Sequence, residues 1–273
     1  MNIQKYFYHI ARTIARKILY NKLVYKIYEK ILWYQIKDEE KPEHIGIILD
    51  GNRRWATKHS ILPWTGHRYG ADKFEDFLNW CLELDVKTVT LYAFSTENFK
   101  RSSKEVEEIM SLIEERFKKV LSDERIQKQE VQVRAIGRTN LLPANIQELI
   151  RKAEEATKNY HKHYLNVAIA YGGRAEIIDA TKKIAEEVKI GKISVNDIDE
   201  EVIESHLYTA HLPKSNPDLI IRTSGEERLS NFLLWQSAYS ELYFADVFWP
   251  GFRRIDLWRA IRTYQKRERR YGK

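Results

Sequence analysis

The chain has 273 residues, 43% of them hydrophobic, with 46 Lys+Arg against 39 Asp+Glu for a formal net charge of +7. That apolar content excludes a mostly disordered chain. The single cysteine, Cys81, excludes an intramolecular disulfide framework and a cysteine-rich metal site, and fits a reducing compartment.

The charge is unevenly placed. Residues 1–37 carry Lys5, Arg12, Arg16, Lys17, Lys22, Lys26, Lys30 and Lys37 against Glu29 alone, so the excess sits there and the body is neutral. No Gly or Pro precedes Pro42, and Ile3, Phe7, Ile10, Ile14 and Ile18, then Leu19, Leu23, Ile27 and Ile31, recur every three or four residues. The spacing predicts a basic amphipathic helical extension over 1–41, interleaved with Tyr and Trp. Its apolar runs fall short of the ~20 residues of a membrane span, and it lacks the apolar core and cleavage site of a signal peptide. Two readings stay open. The helix lies on an anionic membrane surface, or it packs on its own domain or a partner subunit. A neutral body without a nucleic-acid motif argues against nucleic acid as a partner.

After Pro42 short β-branched runs alternate with amphipathic stretches. Strands are predicted at 44–49, 88–94, 131–136, 165–170 and 218–223, with a short sixth at 242–244. Helices are predicted at 66–84, 103–129, 143–161, 173–189, 199–208 and 255–268. The alternation implies one α/β domain over 42–273, a mostly parallel sheet of about six strands flanked by helices. Ligands of such sheets bind beyond the carboxyl ends of the strands. The unusual residues gather there.

Asp50-Gly51-Asn52-Arg53-Arg54-Trp55 follows the first strand and offers a carboxylate, a flexible glycine and two arginines. This suits a phosphate with a divalent cation, and it equally suits an Asx-capped turn. Phe94 to Arg101 (FSTENFKR) makes a second polar strand end, read either as a site or as a capped loop before the helix at 103. Ile221-Arg222-Thr223-Ser224-Gly225-Glu226-Glu227-Arg228-Leu229-Ser230-Asn231 makes a third, where two arginines and a serine form an anion cradle, against the plainer reading of an ion-paired arginine. The basic ending RERRYGK is open to phosphate, nucleic acid or water. Three cradles at three strand ends suggest two phosphorylated substrates.

LDGNRRWA (49–56), GHRYGA (66–71), LYAFSTENFKR (91–101), AYGGRAEI (170–177), IRTSGEERLSNFLLWQSAYSELYFADVFWP (221–250) and RERRYG (267–272) closely resemble the cis-prenyltransferase family. The resemblance covers residues 42–273 in the family's order and spacing. It implies condensation of isopentenyl diphosphate onto an allylic prenyl diphosphate, farnesyl or geranylgeranyl, with Z stereochemistry. The product is a long polyprenyl diphosphate, precursor of a glycosyl carrier lipid. Asp50 is then the essential carboxylate that binds Mg²⁺ and the allylic diphosphate. Gly51, Asn52, Arg53, Arg54 and Trp55 wrap that diphosphate, with His67 beside them. Ser95, Thr96, Glu97, Asn98, Phe99 and Arg101 line the junction of the two substrates. Asn98 stands where a proton acceptor is often assigned, but a neutral amide is a very weak base and is read here as an orienting group. Arg222, Arg228, Leu229 and Ser230 bind isopentenyl diphosphate, and Glu241 holds Mg²⁺ near it. Arg270 and Gly272 match a tail that reaches across a homodimer.

Two positions depart from bacterial members: Pro63 stands for an arginine, and Glu227 for a histidine counted with Glu241 as a metal contact. The growing chain needs an apolar tunnel, with Ala93, Phe74, Phe77, Leu78, Ile109, Leu112 and Ile113 as candidates to line it; each also reads as ordinary core. An insoluble product gives the basic extension a reason to sit on membrane. The expected location is cytoplasmic, at the inner face.

Overall fold

A computed structural model describes residues 22–267, so the apolar repeat before Leu23, together with Arg270 and Gly272, lies outside the described residues. Two compact units partition them, one built around a sheet (42–252) and one helical (22–41 with 253–267).

In the first unit the chain runs β1 (His44–Ile48), α2 (Asn52–Lys58), α3 (Gly66–Glu83), β2 (Thr88–Ser95), α4 (Ser103–Val120), α5 (Glu124–Lys128), β3 (Val131–Ile136), α6 (Ala144–Thr157), β4 (His163–Tyr171), α7 (Gly173–Lys189), α8 (Glu200–His206), β5 (Leu219–Thr223) and β6 (Glu241–Ala245). The second unit supplies α1 (Lys22–Ile36) and α9 (Arg254–Gln265). All six strands are parallel, in the order β3-β4-β2-β1-β5-β6. Every residue of β1 and β5 is buried, which is why these strands read as unbroken apolar runs rather than alternating ones. From β1 the chain passes toward β2, and from β5 it passes the other way to β6. The crevice between β1 and β5 is therefore the switch point of the sheet.

The predicted helix over 103–129 is two helices. Ser102 caps α4, accepting the Glu105 N–H at 3.4 Å. Asp123 caps α5, accepting the Arg125 N–H at 3.0 Å. A side chain that satisfies a new set of backbone donors starts a new helix rather than continuing the old one. Behind α3, Phe77 is fully buried with its ring edge-on to Trp249 and Phe252, at 5.7 and 6.2 Å.

In the helical unit α1 packs along α9. Trp33 lies 5.5 Å from Trp258, Arg254 pairs with Glu29 at 3.2 Å, and Gln265 donates to the Ile36 carbonyl at 3.0 Å. Leu32 and Ile36 are fully buried. Leu23, Ile27 and Ile31, the described part of the repeat read from the sequence, are instead 64, 52 and 49% exposed. Both faces of α1 are apolar, and the packed one is the aromatic one.

Deleting the ring that ties α3 to Trp249 and Phe252 tests this core. Phe77→Ala is expected to cost about 3–5 kcal/mol of stability, since the cavity cannot collapse against two rigid indole and phenyl rings. Urea denaturation followed by circular dichroism measures it.

Candidate active site

β1 ends beside β5, with Ile48 in register with Arg222. Past Leu49 the chain turns at Gly51, whose φ is +94°; a Cβ there would stand 2.7 Å from the Phe248 ring and 3.2 Å from its backbone. Only glycine fits such a turn. α3 starts equally close, because a Cβ on Gly66 would meet the Asn52 carbonyl at 2.2 Å. These two close approaches fix Asp50 and α2 at the mouth of the switch point.

The Asp50 carboxylate is the hub. Arg222 Nη2 donates to its Oδ2 at 2.8 Å, and Gly51 N–H and Arg54 Nη2 donate to Oδ1 at 2.6 and 3.2 Å. Burial works to raise its pKa, but the Arg222 bond and charge, the Gly51 N–H and Arg54 outweigh it and hold the group below the usual carboxylate range. Arg222 also donates to Ser230 Oγ at 2.8 Å and to the Arg228 carbonyl. Arg54 reaches Ser224 Oγ at 2.7 Å and Glu226 at 3.0 Å. The loop that brings these oxygens in holds Ser224, Ser230, Asn231 and Leu233 at positive φ. Such conformations cost of order 1–3 kcal/mol each and persist only where packing over-determines them.

A second hub is Glu105, 5% exposed at the start of α4. It accepts from Arg101 at 2.9 Å and from His67 Nε2 at 3.2 Å, and pairs with Arg53 at 3.5 Å. Burial depresses the His67 pKa more than the Glu105 bond restores it, which favours the neutral ring. Beyond β2 the turn Thr96–Lys100 is locked by Asn98, whose Oδ1 accepts the Ser95 N–H at 3.0 Å. With its oxygen so engaged, Asn98 offers a substrate N–H donors, which fits orientation and not proton abstraction. Glu97 accepts from Thr96 at 3.1 Å and from Asn231 at 3.0 Å, and Phe99 packs edge-on against Phe94. Trp55 stacks on His59, with ring centroids 4.1 Å apart.

Asp50 and two partners of Glu105, His67 and Arg101, line one cavity of about 390 Å³. Its polar end holds Asp50, Asn52, His67, Ser95, Asn98, Arg101, Arg222 and Ser230; its body is apolar and runs between α3 and α4 over the sheet. Phe74, Leu78, Ala93, Ile109, Leu112 and Ile113 line it as anticipated. Phe77 does not, being spent on the Trp249 core. Asn52 Oδ1 and Arg222 Nε are buried there without a hydrogen-bond partner. Polar atoms left so are usually waiting for a ligand or water.

Not every expected residue joins the site. Arg228 points its exposed side chain at Glu226. Leu229 packs against the Phe232 and Leu233 core. Glu241 opens β6 in register with Leu219, at the opposite end of the strands from Asp50, so one chain does not bring these two carboxylates together. Pro63 begins a short 3-10 turn before α3, and Glu227 is exposed in the loop after β5. Sequence reasoning missed Glu105, and it quoted Ser224, Glu226 and Asn231 within the third strand-end cluster without giving them a role. Glu105 had one available signal, its place four residues after Arg101 in a helix whose other acids face solvent.

The sequence profile of the prenyltransferase family described as undecaprenyl diphosphate synthase matches residues 48–272. Tritrans,polycis-undecaprenyl-diphosphate synthase (geranylgeranyl-diphosphate specific) of Methanopyrus kandleri is 58% identical over 92% of this chain and 92% of its own. The enzyme of the same name from Methanocaldococcus jannaschii is 58% identical over 94% of this chain and 92% of its own. Among solved structures, lavandulyl diphosphate synthase from Lavandula x intermedia in complex with dimethylallyl diphosphate superimposes with a TM-score of 0.82. It is 36% identical, covering 85% of this chain and 99% of that one.

The hub geometry makes a stability prediction. Asp50→Ala leaves the Arg222 guanidinium, 5% exposed, without its counter-charge, and is expected to cost roughly 1–3 kcal/mol. Asp50→Asn keeps an acceptor for Arg222 and is expected to cost less. Chemical denaturation of the two variants side by side measures the difference.

Proposed function

Because the chain belongs to the undecaprenyl diphosphate synthase family of cis-prenyltransferases, we propose that it adds isopentenyl diphosphate repeatedly to geranylgeranyl diphosphate and makes a long Z-polyprenyl diphosphate. One observation carries this reading. A cradle of arginines around a strand-end carboxylate opens directly into an apolar cavity, as a diphosphate with a hydrocarbon tail requires. The relatives' names, which specify geranylgeranyl diphosphate, favour that primer over farnesyl.

Arg54 and Arg53 are positioned for the allylic diphosphate, and Arg222 with Ser230 for that of isopentenyl diphosphate; Arg222 touching Asp50 sets the two anions side by side. As the allylic C–O bond breaks, charge grows on the leaving diphosphate. Fixed guanidinium donors stabilise it without reorganising. Asn98 and His67 border the cavity where the isopentenyl double bond meets the allylic carbon. The donor set also fits Mg²⁺: among the described residues no three carboxylates, histidines or cysteines cluster, but Mg²⁺ typically takes one or two carboxylates plus substrate phosphates. Asp50 would hold it, and the ion would supply further charge neutralisation on the leaving group. Glu241, Arg270 and Gly272 stay candidates only for a site completed across a homodimer. The product would serve as a glycosyl carrier lipid precursor.

We place the enzyme on the cytoplasmic face of an anionic membrane. No helix among the described residues is long and apolar enough to cross one. On α1, however, Leu23, Ile27, Ile31 and Tyr34 form an exposed apolar stripe at helical spacing, with Lys26 and Lys30 exposed beside it. Apolar residues flanked by lysines suit a headgroup layer.

Incubation with labelled isopentenyl diphosphate, geranylgeranyl diphosphate and Mg²⁺ should give a ladder of products spaced by one isoprene unit. A single condensation product would favour a one-step synthase, and no product would overturn the reading. Arg222→Ala should lower kcat/KM for isopentenyl diphosphate about 10- to 100-fold, the worth of one charge-assisted contact. Ile27→Glu/Ile31→Glu should lose co-sedimentation with anionic vesicles while keeping turnover on soluble substrates. Retained co-sedimentation would move the membrane contact elsewhere.

A further inference from the structure

The motif AYGGRAEI (170–177) lines no part of the large cavity; it turns the end of β4 into α7. Its two glycines are buried against the segment that follows Ser230. A Cβ on Gly172 would stand 2.6 Å from Asn231 Nδ2 and 3.0 Å from Thr96 Oγ1. One on Gly173 would meet the Leu234 side chain at 2.8 Å and its backbone N at 3.0 Å. The paired glycines therefore form a seat on which the segment rests.

Asn231 fills that seat. The first N–H groups of a helix lack intrahelical acceptors, and two of those of α7 go to this one residue. Gly173 N–H donates to the Asn231 carbonyl at 2.7 Å, and Arg174 N–H to its Oδ1 at 2.9 Å. The φ of Asn231 is +67°, which asparagine tolerates better than most residues. Its Nδ2 donates to Glu97 at 3.0 Å. Glu97 is exposed, so water competes for that bond, whereas the two N–H donors belong to fixed helix backbone. Farther along, Gln236 donates to the buried Glu176 of α7 at 3.0 Å, and the helix holds the segment at a second point.

We propose that Asn231 is a positioning residue: seated on the start of α7, it holds Ser230 and the Arg228 carbonyl where they aim Arg222 at the diphosphate of isopentenyl diphosphate. This rests on the reading of Arg222 and Ser230 as the site of that diphosphate. Ser230 Oγ and the Arg228 carbonyl both accept from Arg222 Nη1, so the loop sets the direction of the guanidinium. The Ser230 carbonyl is held in turn by Tyr92 Oη at 3.2 Å. Ser230 and Asn231 both stand at positive φ, and a loop freed from α7 would relax toward commoner conformations. An arginine whose acceptors drift loses the fixed geometry on which its interaction with a growing anionic charge depends.

The test is steady-state kinetics with geranylgeranyl diphosphate, isopentenyl diphosphate and Mg²⁺, each substrate varied in turn, beside thermal melting. Asn231→Gly permits the left-handed backbone and removes only the side chain. It should raise KM for isopentenyl diphosphate about fivefold or more, the worth of one hydrogen bond, with little change in KM for geranylgeranyl diphosphate or in melting temperature. Asn231→Asp keeps an acceptor for Arg174 N–H, where a helix N-terminus favours negative charge, and should stay close to the wild-type KM. Gly172→Ala crowds the seat and should resemble Asn231→Gly; it decides with Asn231→Asp if Asn231→Gly does not fold. A wild-type KM for isopentenyl diphosphate in folded Asn231→Gly or Gly172→Ala would overturn the proposal. So would equal loss in Asn231→Gly and Asn231→Asp, or a parallel rise in both KM values, which general loosening of the fold produces. A wild-type chain that condenses no isopentenyl unit would overturn the parent reading instead, and the same assay shows which has failed.

Discussion

The contact between Asp50 and Arg222 organises the site. A guanidinium at the end of a central parallel strand is in a costly place, and Arg222 is tolerated there because Asp50, Ser230 and a backbone carbonyl take its donors. The parallel register that sets Ile48 opposite Arg222 makes the contact unavoidable once β1 and β5 pair. In turn the pair fixes the mouth of the switch point, where the chains after the two strands diverge. An arginine held this firmly before any substrate arrives is a preorganised anion site, and preorganisation is what makes electrostatic stabilisation effective during a reaction.

The apolar half of the site depends on a different constraint. α3 is buried on two sides, with Phe77 turned to Trp249 and Phe252, and Phe74, three residues earlier, turned to the cavity. Holding α3 against that aromatic core keeps it from closing on α4, and the ion pairs at the cavity's far end hold the two helices at a set separation. A hydrocarbon trough in a close-packed protein needs such bracing, because an unbraced apolar void would collapse.

The strands were legible in the sequence because strands buried on both faces are β-branched runs that little else produces, and the predicted six lie within two residues of those found. The strand-end clusters stood out because charged residues follow directly on such runs, but the first two also read as a capped turn or loop, and only their joint match to family motifs separated the two readings. Helix faces were less legible. Phe74 and Phe77 share one stripe by periodicity, yet one lines the cavity and the other the core, and spacing cannot separate two buried sides of one helix. On α1 the regular repeat Leu23, Ile27, Ile31 left membrane and packing readings both open, and Trp33 and Leu32, outside the repeat, make the packed face. Beyond its spacing from Arg101, Glu105 gave no signal, for a general reason. A buried carboxylate inside a helix of exposed acids differs from them only in its partners, and partners are set by tertiary structure.

Those partners bear on the proposed metal. Within the site Arg54 faces Asp50 and Glu226, Arg222 faces Asp50, and Arg53 and Arg101 face Glu105, while Arg228 beside it faces Glu226. Each of these cations already has a carboxylate, so binding a diphosphate is an exchange of anionic partners and not simple capture by free positive charge. The incoming group must displace carboxylates or sit beside them, and the second case places several negative charges within a few ångströms in a half-buried space. Like charges so close, poorly screened by water, repel strongly. A divalent cation bound between Asp50 and the diphosphate would turn that repulsion into coordination while leaving the arginine frame intact. The same exchange would make the paired carboxylates useful between turnovers, when they keep the guanidinium groups, the buried Arg222 above all, paired until the next diphosphate arrives.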